Sequence, residues 1–316
     1  MRKWLALAAA GVMALGIVAC GDDDEEGGGG GGGAGDLSGT IKIDGSSTVA
    51  PLSEAAAELF QAENPDVRVT VGTSGTGGGF EKFCAGETDI SDASRAIEED
   101  EVALCKKNNV AYEEVQVAND GLAVAINPEN NFASCLTVEQ VKKIYDKGSK
   151  VNNWRQVNPE FEDVDMELFG AGTDSGTFDY FTEAINGEEG RSRSDYNATE
   201  DDNVTVQGVS GAPGGVGYLG LSYVQQNEGK IKAAEIDGGD GCVAPSVETV
   251  QDASYKPLSR PLFVYPSDKA LQRPEVKAFL EFYLENEEAI AEQALFVSLT
   301  EEQLTKAQDK VAELAK

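Results

Sequence analysis

The sequence predicts an α/β protein built as two globular units, and three observations carry that expectation. At 316 residues the chain has room for two domains of ordinary size. Charged residues make up 26% and hydrophobic residues 41%, a usage that fits neither a disordered chain nor a polytopic membrane protein. Along the chain, an alternating apolar run, a loop rich in Gly, Ser and Thr, and an amphipathic helix follow one another repeatedly.

The first segment reads as an address. Arg2 and Lys3 precede an apolar run from Trp4 to Val18, too short for a comfortable bilayer span of about 20 residues but suited to an export signal. It ends in Ile17-Val18-Ala19-Cys20, which resembles a bacterial lipobox, so residues 1–20 are expected to be a lipoprotein signal peptide with Cys20 carrying an acyl chain such as palmitate. Residues 21–36 follow, with acidic Asp22 to Glu26 and an unbroken run Gly27 to Gly33, a composition that cannot bury a core. They are expected to be a flexible linker reaching about 20 to 24 Å, enough to hold a domain clear of a membrane.

Folded structure is expected from Thr40. Thr40-Ile41-Lys42-Ile43-Asp44 alternates as a strand, Gly45-Ser46-Ser47-Thr48 forms a loop, and Leu52, Ala55, Ala56, Leu59 and Phe60 share one face of a helix with Pro51 in its first turn. Asn64-Pro65 stops that helix, and Val67, Val69 and Val71 make a second strand. The loop Gly72 to Gly79 then leads to a helix bearing Phe80, Phe83 and Cys84. A third instance starts with a strand from Asp165 to Gly170, passes through Ala171-Gly172-Thr173-Asp174-Ser175-Gly176-Thr177, and enters a helix with Phe178, Phe181 and Ile185. Glycine lets backbone N–H groups come close to a ligand, and a helix start favours an anion there. Ser and Thr at one helix start are ordinary caps, whereas three glycine-flanked cases together point to a shared oxyanion site. Arg95, after the short strand-like stretch Asp89 to Ala93, could offer a bidentate fork to that anion or pair with Glu98 or Glu99 on the surface.

Composition removes other readings. With no histidine there is no Ser-His-Asp set, no HExxH zinc site and no imidazole base. A balance of 25 basic against 56 acidic residues repels nucleic acid, and 7% aromatics leaves little for stacking sugars or bases. No lysine follows the glycine loops in the pattern of a nucleotide triphosphatase. Gly215-Val216-Gly217-Tyr218-Leu219-Gly220 matches GxGxxG, but no clear strand precedes it and no long helix follows, so dinucleotide binding is unsupported. Beyond Cys20 four cysteines remain, Cys84, Cys105, Cys135 and Cys242, an even number that reads as two disulfides in an exported chain. Three connectivities are open, and proximity favours Cys84 with Cys105, leaving Cys135 with Cys242. Without CxxC pairs or histidine, no metal site and no cofactor are expected.

Taken together, Asp44 to Val49, the loop Gly72 to Phe80, Gly86-Glu87-Thr88-Asp89-Ile90 running to Ala93-Ser94-Arg95, and Gly172 to Phe178 resemble the phosphate-binding lipoprotein of bacterial ABC-type phosphate importers. Leu136 to Gln140 with Ile144, Tyr145 and Trp154, and Leu258-Ser259-Arg260-Pro261-Leu262, are similar to the same family, and the likeness covers nearly all of the chain beyond Asp36. The resemblance implies a two-lobed, type II periplasmic-binding-protein fold, each lobe a mostly parallel sheet flanked by helices, with two crossover strands as hinge. Residues 37–118 plus 260–316 would form one lobe and 119–259 the other, the apolar stretches Gly121 to Ile126 and Pro261 to Tyr265 looking like the crossovers. Carried onto this chain, phosphate would meet Ser47, Thr48, Val49, Ser74, Thr76, Gly77, Ser94 and Arg95 from the first lobe and Asp174, Ser175, Gly176 and Thr177 from the second. Some members carry an arginine just before the third loop where this chain has Ala171, which gives Arg95 the role of guanidinium donor. Some also carry an aspartate where an ungapped match puts Ser94, which leaves Asp174, Asp92 and Asp202 as carboxylates that could accept the phosphate proton.

The resemblance further implies a monomer without chemistry on its ligand. It would be exported, held by its lipid on the outer face of the cytoplasmic membrane or in the periplasm, and would deliver inorganic phosphate to the permease of an ABC importer. Two other readings are weighed against this: a binder of another tetrahedral oxyanion such as sulfate, and a secreted hydrolase with Ser175 as nucleophile, which would lack a histidine base.

Overall fold

A computed structural model of the chain describes residues 37–314, so the signal peptide, the lipidation expected at Cys20 and the linker 21–36 lie outside the described residues. Strand β1 (Gly39–Gly45) buries Ile41 and Ile43 while Thr40 and Lys42 face water, the period of two set by its side chains. Helix α1 (Ala50–Glu63) follows with a proline in its first turn and buries Leu52, Ala55, Ala56 and Phe60. Strands β2 (Val67–Gly72) and β3 (Ile90–Ala93) pair with β1 on either side, both parallel to it. Helix α2 (Gly75–Cys84) and helix α3 (Glu99–Lys107) complete this part.

The third glycine-rich segment joins strand β6 (Glu167–Ala171) to helix α6 (Gly176–Phe181), which runs on into a π turn over Thr182–Asn186. Between the two regions lie β4 (Val115–Ile126), β5 (Cys135–Thr137), α4 (Val138–Tyr145) and α5 (Trp154–Val157). Beyond them come β7 (Asn197–Thr199), β8 (Gly215–Gly220), β9 (Lys232–Ala233), β10 (Glu235–Asp237), β11 (Cys242–Val243) and β12 (Ser259–Pro266).

A mixed sheet runs β2-β1-β3-β12-β4-β8-β6-β7, with β9 also on β4, and a smaller one runs β11-β10-β5. The pairs β2-β1-β3 and β8-β6-β7 are parallel, whereas β12 is antiparallel to both β3 and β4, and β4 is antiparallel to β8. Strand β4 is buried along nearly its whole length because it is covered on both faces, its second half reading Leu122 to Ile126 without a polar residue, and it is long enough to serve two neighbourhoods. Residues from Val115 to Gly121 pair with β12, and Leu122 to Ile126 pair with β8.

The buried apolar residues divide in the same place. One cluster draws on positions between Ile41 and Ala118 and between Leu262 and Val311; another spans Leu122 to Leu258 and adds Val297. At the division Gly121 lies against Val250, where a Cβ would come within 2.5 Å of a Val250 methyl. A third cluster, Phe80, Phe83, Phe263 and Tyr265, surrounds the disulfide Cys84–Cys105 that ties α2 to α3. The second disulfide, Cys135–Cys242, ties β5 to β11.

Two local features differ from the sequence expectation. Gly77 to Gly79 belong to α2 rather than to a loop, because the helix packs directly on the end of β1: a Cβ on Gly79 would lie 2.5 Å from the Cα of Gly45. The GxGxxG segment is itself strand β8, with Gly217 giving room to Thr205 and Val209, so its glycines serve sheet packing. Among the described residues no helix is long and apolar enough to cross a membrane.

Candidate functional site

The expected loops sit at the carboxyl ends of β1, β2, β3 and β6, where open α/β sheets place ligands. The chain leaves β1 through Ser46 and Ser47, and Val49 is the residue before α1, so its N–H stands at a helix start. Gly45 holds a φ of +151° and lies against the Asp92 backbone, a close approach that only glycine accommodates. At the start of α6, Ser175 accepts a hydrogen bond from the Thr177 N–H at 3.2 Å and caps the helix.

These two helix starts meet. The Thr48 hydroxyl lies 3.4 Å from the Gly176 carbonyl oxygen, and a Cβ on Gly176 would come within 2.5 Å of Thr48 Oγ1 and 2.8 Å of its nitrogen. The approach joins segments 128 residues apart, one from each side of the division in the core. The Thr76 and Ser94 hydroxyls are 3.0 Å apart, and the Ser94 N–H donates to Thr76 Oγ1 at 3.2 Å. Gly77 leaves the space beside Arg95.

The remaining expected residues take other positions. Ser74 is exposed and hydrogen-bonds to Asp44, which Lys82 also holds at 2.8 Å. Arg95 lies over the Phe80 ring and makes a bidentate pair with Glu101, both bonds at 2.8 Å, with Glu98 at 3.3 Å. Its fork is therefore closed on a neighbouring helix, and the charge of Glu183 on the opposite side also reaches it. Asp174 is exposed, with its N–H directed to Glu200 at 3.4 Å, and the α6 cap comes from Ser175. Asp92 is fully buried inside its own half, accepting from Ser53 of α1 at 2.9 Å. Burial first, and then the charges of Asp44 and Glu54, push its carboxyl up to about 7 against the Ser53 hydrogen bond. Asp202 opens a different helix, Asp202–Gly211, where burial and the neighbouring Asp201 and Glu200 push it up to about 6.

Three groups were not singled out as site residues and now stand beside Thr48 and Ser47. Arg260, on β12, donates from Nη2 to Thr48 Oγ1 at 3.0 Å and from Nε to Asp120 at 3.2 Å. Asp120 is buried, and its carboxyl is raised by that burial while Arg260 opposes the rise. Asp179, on α6, is raised to about 6 first by burial and then by Glu189, with the Ser47 hydroxyl and Arg260 pulling it down. The available signal was one charged residue beside each of two largely apolar stretches, Arg260 just before Pro261 to Tyr265 and Asp120 just before Gly121 to Ile126. The result is a cluster of hydroxyls and helix-start N–H groups with one guanidinium, Arg260, bonded to Thr48 and a second, Arg95, paired with Glu101, a donor set suited to a compact oxyanion.

Comparison with known proteins adds a family to this geometry. A model described as a PBP superfamily domain matches residues 32–287. Phosphate-binding protein PstS of Staphylococcus saprophyticus is 38% identical over 317 residues, covering 99% of this chain and 96% of that protein. Protein SphX of Synechococcus elongatus is 47% identical over 262 residues, covering 82% of this chain and 77% of that protein. The crystal structure of a possible phosphate binding protein from Planctomyces limnophilus is similar with a TM-score of 0.85 at 47% identity, covering 89% of this chain and all of that one.

Proposed function

This chain belongs to the PBP superfamily, and from that premise we propose that it captures inorganic phosphate outside the cell and delivers it to the permease of an ABC importer. The observation that supports the reading is the meeting of Thr48 with Gly176, which brings two helix starts 128 residues apart in the chain into contact. Phosphate would receive hydrogen bonds from Ser47, Thr48 and the Val49 N–H, from Thr76 and Ser94, and from Ser175, Gly176 and Thr177, while Gly77 leaves room beside Arg95 and Ser74 would join them only on leaving Asp44. Arg95 supplies charge once its fork turns from Glu101. Two hinged lobes, 37–118 with 260–316 and 119–259, would close on the anion through β4 and β12, and the closed form is what a permease recognises.

A carboxylate that accepts the remaining proton of phosphate would reject sulfate, which has none to offer. Asp174, next to Ser175 in sequence, would be one such acceptor, and Asp179 joins it as the carboxylate beside Ser47. The chain's acidity adds no attraction for nucleic acid. Export and lipidation at Cys20 would keep the protein, as a monomer, at the outer face of the membrane, and Ser175, which caps α6, would hold the anion by hydrogen bonding rather than attack it. Titration calorimetry of the unlipidated protein with phosphate and with sulfate tests the reading. One phosphate per chain with sulfate far weaker is expected; heat from sulfate alone would transfer the function to another oxyanion.

A further inference from the structure

Strands β4 and β12 carry the chain between the two halves of the core, and a pair of opposite charges stands where they face each other. Arg260 and Asp120 are direct partners in the antiparallel register of these strands. Their side chains are 12% and 5% exposed, so the pair is shielded and its geometry is held. Around it, the Arg260 guanidinium carbon lies 3.6 Å from the centre of the Tyr180 ring, close enough for a cation–π contact. Tyr180 is fixed in turn by its hydroxyl, which donates to the Pro257 carbonyl at 2.8 Å. The same guanidinium donates from Nη2 to Thr48 Oγ1 at 3.0 Å. One planar group thus touches the hinge, the start of α1 on one side, and α6 on the other.

We infer that Arg260, backed by Asp120, is a positioning residue for anion capture: it orients the Thr48 hydroxyl and fastens the two sides of the shut cleft through Thr48 and Tyr180. The inference rests on the phosphate-binding reading and deepens it. A guanidinium has donors only, so its N–H occupies a lone pair of Thr48 Oγ1 and leaves the Thr48 hydrogen to point elsewhere. In this structure that hydrogen faces the Gly176 carbonyl at a long 3.4 Å, a bond it can exchange for an anion oxygen in the same space. Asp120 takes the charge of Arg260, so the group serves as an oriented donor rather than as a second free cation. If the lobes part, a hinge-mounted guanidinium cannot keep both Thr48 and Tyr180. Its contacts therefore belong to the closed state, and losing them speeds release more than it slows capture.

The test is a kinetic one on Arg260→Lys, which keeps the charge but loses the planar fork and the ring contact. Phosphate binding is followed by stopped flow and calorimetry, with the unmodified protein in the same series. The expected result is a dissociation rate raised about tenfold and an association rate changed less than about twofold, as fits the loss of one charged hydrogen bond. Thr48→Val leaves the buried pair intact and provides the second arm, since Arg260→Lys added to Thr48→Val should then raise the dissociation rate little further. Unchanged release in a folded Arg260→Lys protein, or effects of the two substitutions that simply multiply, would overturn the inference while leaving phosphate binding in place. An unmodified protein that takes up no phosphate would overturn both.

Discussion

Replacing Asp92 by Asn should make the protein more resistant to unfolding as the pH rises from 4 to 8, gaining about 4 kcal/mol over the unmodified chain across that interval. Asp92 is fully buried on β3, and its Oδ2 has no hydrogen-bond partner among the described residues. Burial raises the carboxyl from 3.8 to about 7, so the folded protein keeps a proton that the unfolded chain has already lost. The native state binds more protons than the unfolded state between about pH 4 and 7, so stability from this group is intact below that window and is lost as pH rises through it. At about 1.4 kcal/mol per pH unit the loss amounts to about 4 kcal/mol, or about 8 °C in melting temperature for a chain of this size. Glu287, raised to about 7, and Asp202 and Asp179, each raised to about 6, slope in the same direction, so the difference between variant and unmodified protein is the quantity to follow. Thermal melts at pH 4, 6 and 8 in one buffer series would measure it. A difference that stays constant with pH would refute the burial argument.

Other outcomes follow from the same contacts. Gly176→Ala should weaken phosphate binding at least about tenfold with little change in melting temperature, because its methyl would strike Thr48 at 2.5 Å only when the cleft is shut; calorimetry beside a melt separates the two. Arg95→Ala should weaken binding by about tenfold, the worth of a charged hydrogen bond, and an unchanged dissociation constant would leave Arg95 as the partner of Glu101 alone. Asp179→Asn should lower the preference for phosphate over sulfate by at least about tenfold, and Asp174→Asn by less, since Asp174 is exposed; competition binding with both anions checks the order. Removing the disulfide Cys135–Cys242 should cost about 4 to 5 kcal/mol by the loop-entropy account, given its separation of 107 residues, and a paired Cys→Ser variant measured in urea checks it.

The parts of the fold that were legible in the sequence are those governed by local pattern. Ile41 and Ile43 alternate with exposed neighbours, Pro51 opens a helix, and Ser175 caps one, each through interactions within a few residues. Helix α2 was less legible: its glycines look like a loop until β1 is beside them, because the reason for Gly79 is the close approach of Gly45. The hydroxyl loops could be picked out by composition, and the structure brings Thr48 to Gly176 and Thr76 to Ser94. The residues left Arg95 open between an anion and a surface pair with Glu98 or Glu99, and the family resemblance gave it the site role; neither pointed to Glu101, six residues on, since an i to i+6 pair exists only after the chain turns into α3. Arg260 was missed for a related reason. Its partners Asp120 and Thr48 lie 140 and 212 residues away, and only the antiparallel register of β12 on β4 assembles them.

A crystal structure of the protein grown with phosphate addresses the central claim most directly. The account expects one anion between the starts of α1 and α6, with Thr48, the Val49 N–H and Ser175 to Thr177 within about 2.7 to 3.2 Å of its oxygens and Arg260 still bonded to Thr48. An anion bound on a single lobe, or a cleft that stays shut without one while phosphate fails to bind in solution, would contradict it.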